Sequence, residues 1–254
     1  MSGAEIEKSS AWYTILNGAM SMPGVRVDRR EFLYSSFSRY YDLEKVHRIV
    51  ENGTGRAGVD VATVDKRANN VISYHNRLAT ASSALAGLPG GWGLAIAIPA
   101  DIAQFYGHTL STAQKLAYLY GYPDLRESSD EDFLNYMTLF VGVMTGVAGA
   151  GHALKKLSQI VATQVEKKVA AAALTKGTLY PAVKQIAKLL GLKMTKEIFA
   201  KGVSKAIPLI SAGISGGITY FSFKSQAHNL RDNLHDNYIH FQHAGSPTAV
   251  GVIS

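Results

Sequence analysis

Helix start and stop signals recur along the chain, and no long stretch alternates β-branched with polar residues, so its pattern predicts helices rather than a barrel or sandwich. Asp28-Arg29-Arg30-Glu31 has capping-box spacing ahead of Phe32, Leu33, Phe37, Tyr40 and Tyr41, which predicts a helix starting near Asp28. Asn52-Gly53 should end the next one. From Val59 to Ala84, Val, Ala, Ile and Leu alternate with Asp65, Lys66, Arg67 and Arg77 as in an amphipathic helix, and Gly87-Leu88-Pro89-Gly90-Gly91 should break it. After Pro99 a helix is expected to run to Tyr120, where Tyr120-Gly121-Tyr122-Pro123 stops it. At 100° per residue, Asp101, Gln104, His108, Thr112 and Lys115 share one stripe of that helix, and Ile102, Tyr106, Leu110, Ala113 and Leu116 take the other side. Ser128-Ser129-Asp130-Glu131-Asp132 supplies a cap and first-turn acids for the helix that follows.

Three runs carry no formal charge: Leu78 to Ala100, Phe133 to Leu154 and Ala206 to Phe223. Pro89 and Pro99 argue against a straight span in the first and favour a buried or re-entrant hairpin. The second is long enough to cross a bilayer, since about 20 residues suffice, but Asn135, His152 and many small residues dilute it. Gly142 and Gly146, like Gly213 and Gly217, stand four apart, a spacing that lets helices approach closely in lipid or in a soluble bundle. The expected class is all-α: a compact multi-helix domain with Gly-rich apolar helices, hairpins among them. Its division is an N-terminal segment (1–24), a helical domain (25–230) and a polar C-terminal helix end and tail (231–254).

Composition narrows the chemistry. Cys is absent, which excludes disulfides, thiolate nucleophiles and iron–sulfur ligation. The first ten residues lack a basic start followed by an apolar run, so no cleaved signal is expected and cytoplasmic residence is the default. The net charge of +7 is uneven, with eleven Lys against Glu166 and Glu197 between Lys155 and Lys205. Lys without Arg suits diffuse attraction to anionic lipid better than base readout. Lys155, Lys156, Lys167 and Lys168 are therefore the candidate lipid-headgroup contacts, and no nucleic-acid partner is expected.

The segments Gly87-Leu88-Pro89-Gly90-Gly91, Ile98-Pro99-Ala100-Asp101-Ile102 and Gln114-Lys115-Leu116-Ala117-Tyr118-Leu119-Tyr120-Gly121-Tyr122-Pro123 resemble, in order and spacing, the EcsC protein family. Val27-Asp28-Arg29 with Phe32-Leu33, and Ala206-Ile207-Pro208 with Gly213 and Gly216-Gly217, extend the likeness from about Val25 to Leu230. The chain departs from that family at Thr219-Tyr220, where an Asn-bearing apolar motif is expected. The resemblance implies membrane association beside a transport system, with no established catalytic mechanism to carry over.

Candidate chemistry is sparse. Asp101 and His108 are standard proton-transfer types, but seven residues separate them by about 10.5 Å along a helix axis, so Gln104 or water would have to bridge them. The stripe of Asp101, Gln104, His108, Thr112 and Lys115 is the candidate ligand site, with a satisfied polar stripe between packed helices as the plainer alternative. His228, Asp232, His235, Asp236, His240 and His243 have metal-ligand types. However, Leu230, Leu234, Tyr238 and Phe241 fall in one narrow arc opposite them, the pattern of a surface helix, so no metal is expected. Gly87 to Gly93 lacks the Lys-Ser/Thr of a P-loop, and Ser215 meets the Gly-x-Ser-x-Gly pattern only in apolar helical surroundings. No catalytic residue and no cofactor is assigned.

The resulting expectation is a non-enzymatic, membrane-associated accessory or regulator of transport or secretion, peripheral at the inner face of the cell membrane. Its partners would be an anionic membrane surface or a membrane protein such as a transporter. The main alternative is a soluble carrier of an apolar or lipid ligand; a membrane-inserting toxin and a lipid-acting enzyme follow.

Overall fold

Local capping places several of the elements. In the computed structural model, which describes residues 11–85, 100–163, 173–174, 177–204 and 211–243, the described residues form nine α-helices and no strand. They are α1 (Ala11–Met20), α2 (Arg29–Phe37), α3 (Leu43–Asn52), α4 (Val61–Leu85), α5 (Ala100–Leu119), α6 (Asp130–Met144), α7 (Ala150–Thr163), α8 (Tyr180–Ser204) and α9 (Ser211–His243), with a 3-10 turn at Leu125–Glu127. Asp28 caps α2 by accepting from the Glu31 N–H at 3.0 Å, and Asp42 caps α3 by accepting from the Lys45 N–H at 2.8 Å. Ser129 caps α6 through the Asp132 N–H, with three acids in the first turn against the helix dipole.

α5 is the central element and packs against α1, α2, α4, α6 and α9. Its apolar side is buried as expected, from Ile102 through Tyr106, Leu110 and Ala113 to Leu116. Its polar stripe is not a solvent face, because α4 covers it and Thr112 is fully buried. The long α9 lies across α4, α5, α6 and α7, and runs unbroken past Leu230 to His243. α1 joins the same core: Trp12, Ile15 and Leu16 are fully buried, and the Trp12 indole donates to the Thr138 hydroxyl at 2.9 Å.

The Tyr120-Gly121-Tyr122 turn fastens α9 to the centre. Gly121 adopts φ +98°, and a Cβ there would lie 2.9 Å from the Phe241 ring, so glycine is required by both backbone and space. Tyr122 packs on Phe140 and Phe241, Tyr120 packs edge-on to Tyr238, and the Tyr238 hydroxyl donates to the Val59 carbonyl at 3.1 Å. Arg29, buried nearby, donates to the carbonyls of Val50 and Tyr122.

The uncharged run from Phe133 to Leu154 is not one span. It turns between α6 and α7, where Gly146 and Gly149 take φ +68° and +82°, so Gly142 and Gly146 do not form a shared helix face. Gly142 alone makes the close approach: a Cβ there would meet Ile186 Cγ2 of α8 at 2.5 Å. No helix among the described residues is long and apolar enough to cross a membrane. The break at Gly87–Gly91 lies outside the described residues, as does residue 206–210 of the third run, and the side chains around Gly213 and Gly217 are likewise not described.

Candidate functional site

The α5 stripe meets α4 at a cluster of nitrogen side chains. Lys115 Nζ lies 2.9 Å from His75 Nε2, and the His75 and His108 rings stand 5.7 Å apart. Thr112 is buried on the same face of α5, one turn from each of His108 and Lys115. Tyr74, exposed, is edge-on to His75 at 5.3 Å, and the Lys115 amine sits 5.8 Å above the Phe32 ring. Gln104 is half-buried one turn before His108. Asp101 belongs to the first turn of α5 and its side chain lies outside the described residues.

The ring that faces His108 therefore comes from α4, and sequence reasoning confined to α5 could not supply it. A signal did exist. Val64, Ala68, Ile72 and Ala79 are buried at helical spacing, and His75 occupies the same stripe. An imidazole in an apolar stripe is a group that needs a partner.

Hydrogen-bond chemistry assigns the protons. An ammonium donates only, so His75 Nε2 accepts and Nδ1 carries the ring proton. Nδ1 is buried without a partner, and so is the Thr112 hydroxyl. Burial, then the Lys115 charge, then His108 push His75 down to about 3, so this ring is neutral at ordinary pH. His108 is lowered by burial first and Lys115 second, and burial alone lowers Lys115. No carboxylate among the described residues forms an ion pair with Lys115.

The arrangement is thus rich in donors and poor in proton acceptors. A ring titrating near 3 is a weak general base at neutral pH, since efficient acid–base groups titrate near the working pH. Binding chemistry fits these residues better than proton transfer.

The other candidate groups fall elsewhere. Lys155 and Lys156 are exposed on α7, with Ala153, Leu154 and Leu157 buried on its opposite side; Lys167 and Lys168 lie outside the described residues. On α9, Leu230, Leu234, Tyr238 and Phe241 form the buried arc that the sequence predicts. The polar side is more engaged than a purely solvated face. His235 Nδ1 lies 3.0 Å from Asp65, which also accepts from the Tyr120 hydroxyl, and Arg231 donates to Asn69 at 2.8 Å. No group of three or more His, Asp or Glu suited to a metal occurs among the described residues. No family model, curated protein or solved structure matches the chain.

Proposed function

We propose that the protein is a non-enzymatic accessory or regulator that works at a membrane surface in transport or secretion, as the EcsC resemblance implies. The observation that carries this reading is the division of α7, whose apolar side is buried in the bundle while Lys155 and Lys156 project from the exposed side. A basic face held outward by a packed apolar one meets anionic headgroups without leaving the bundle. Each Lys near an anionic surface contributes about 1 kcal/mol, so several together hold a protein peripherally.

Liposome flotation tests it. Anionic vesicles should float the protein at low salt, neutral vesicles should not, and about 0.5 M salt should release most of it by shortening the Debye length. Retention through both salt and alkaline washes would replace peripheral docking with insertion. Failure to bind either vesicle would remove membrane association and favour the second reading, a carrier of an anionic, lipid-like ligand, which the Lys115 cluster between α4 and α5 supports.

A further inference from the structure

Lys115 is a half-buried cation with no carboxylate partner among the described residues, flanked by two buried polar atoms that nothing satisfies, His75 Nδ1 and Thr112 Oγ1. Buried polar groups are nearly always hydrogen-bonded, and a charge drawn from water without a partner is costly. Both deficits occur along the seam where α4 meets α5. The Tyr120-Gly121-Tyr122 turn and Gln114 also carry buried polar groups, yet each of those is satisfied within the bundle.

We infer that the Lys115, His75, His108 and Thr112 cluster is a binding site for the phosphate group of a phosphomonoester. The donor set selects the chemistry. Lys115 offers a point charge with three N–H donors, Thr112 a hydroxyl, and each neutral imidazole one N–H. A phosphate carries several acceptor oxygens that several donors can reach at once, and its charge supplies a counter-ion to Lys115, which has no carboxylate partner among the described residues. The Phe32 ring borders the amine and the exposed Tyr74 ring borders His75, which gives an apolar substituent on the phosphate a surface to lie against. Free phosphate and the headgroup of a phosphatidate share this chemistry. The site is independent of the membrane reading, because a protein that ignored anionic vesicles would still take phosphate here.

The full chain should be titrated with inorganic phosphate, with a short-chain phosphatidate below its micelle concentration, and with the matching diacylglycerol that lacks phosphate. The imidazole NMR signals of His75 and His108 report occupancy locally, and calorimetry reports affinity. Both rings should shift with phosphatidate and not with diacylglycerol. Shifts with inorganic phosphate at similar affinity would identify a free phosphate compound as the ligand, whereas shifts with phosphatidate alone would identify a lipid headgroup. Lys115→Met should weaken binding at least tenfold while leaving the melting temperature unchanged or higher, since it removes a half-buried cation that no carboxylate among the described residues pairs. A purely structural Lys115–His75 contact would give the opposite result, a lower melting temperature and no binding to lose. Should Lys115→Met fail to fold, the wild-type ring shifts and the affinity of Thr112→Val decide alone. Silent rings with both phosphate probes, or unchanged affinity in Lys115→Met, would overturn the assignment.

Discussion

Gln114 shows how a single side chain orders a segment with no regular structure of its own. It is fully buried; its Oε1 accepts from the Val27 N–H at 3.0 Å, and its amide donates to the carbonyls of Val25 at 2.8 Å and Leu110 at 2.9 Å. The stretch entering α2 is thereby tied to α5. In Gln114→Leu the side chain keeps its bulk but strands the Val27 N–H and the Val25 carbonyl, and a buried unsatisfied group costs about 1–3 kcal/mol. Urea unfolding should show that loss as a lower midpoint with an unchanged slope. A midpoint equal to wild type would mean that water satisfies those groups. Lys115, the neighbouring residue in the chain, behaves differently: no carboxylate among the described residues pairs its charge, which is why the one residue is structural and the other is a candidate for binding.

At the scale of elements, the contact of α6 with α8 depends on Gly142. An added methyl would stand 2.5 Å from Cγ2 of Ile186, and a β-branched neighbour cannot swing away cheaply because its χ1 is restricted. Gly142→Ala should therefore destabilise the protein by about 1–3 kcal/mol through overpacking, despite the gain in helix propensity that Ala normally brings. Thermal melting of Gly142→Ala with and without Ile186→Val or Ile186→Ala separates the two contributions. Relief of the loss on trimming Ile186 is the expected coupling, and strict additivity would show that the helices simply move apart.

For the molecule as a whole, the buried imidazoles set an acid limit. An unfolded His titrates near 6.5, whereas His75 in the fold is held down to about 3, and His108 and His228 are also lowered by burial. Between those values the unfolded chain binds more protons than the folded one, so stability is full above about 6.5 and falls as pH drops toward 3. The slope contributed by one such ring is at most roughly 1.4 kcal/mol per pH unit. Melting temperatures measured from pH 7.5 to 5 should decline, and His75→Phe should flatten the decline by removing the most strongly shifted ring. An equally steep decline in His75→Phe would show that His75 takes up its proton in the fold. Phosphate bound at Lys115 would oppose the same decline, since an anion favours protonated neighbours.

How much was legible beforehand follows from the range of each interaction. Caps, stops and helix periods act over three or four residues, so Asp28, Asp42, Ser129, Gly121 and the buried arc of Leu230, Leu234, Tyr238 and Phe241 could be read, or are readable, from spacing alone. The α-helical class and the composition of the α5 stripe come from that same local code. What faces the stripe does not. His75 stands forty positions from Lys115, Asp65 stands 170 from His235, and Trp12 stands 126 from Thr138, and no local period relates residues so far apart. The uncharged run from Phe133 to Leu154 has the length of a span, yet the turn at Gly146 folds it into two helices that bury each other's apolar sides. Sequence by itself determined the α-helical class and which side chains of a helix share a face, because those depend on hydrogen bonds within one element. Only the tertiary structure decided that the polar stripe of α5 is covered, that a second imidazole meets it, and that no carboxylate among the described residues pairs its lysine, because burial and partners are properties of the packing between elements.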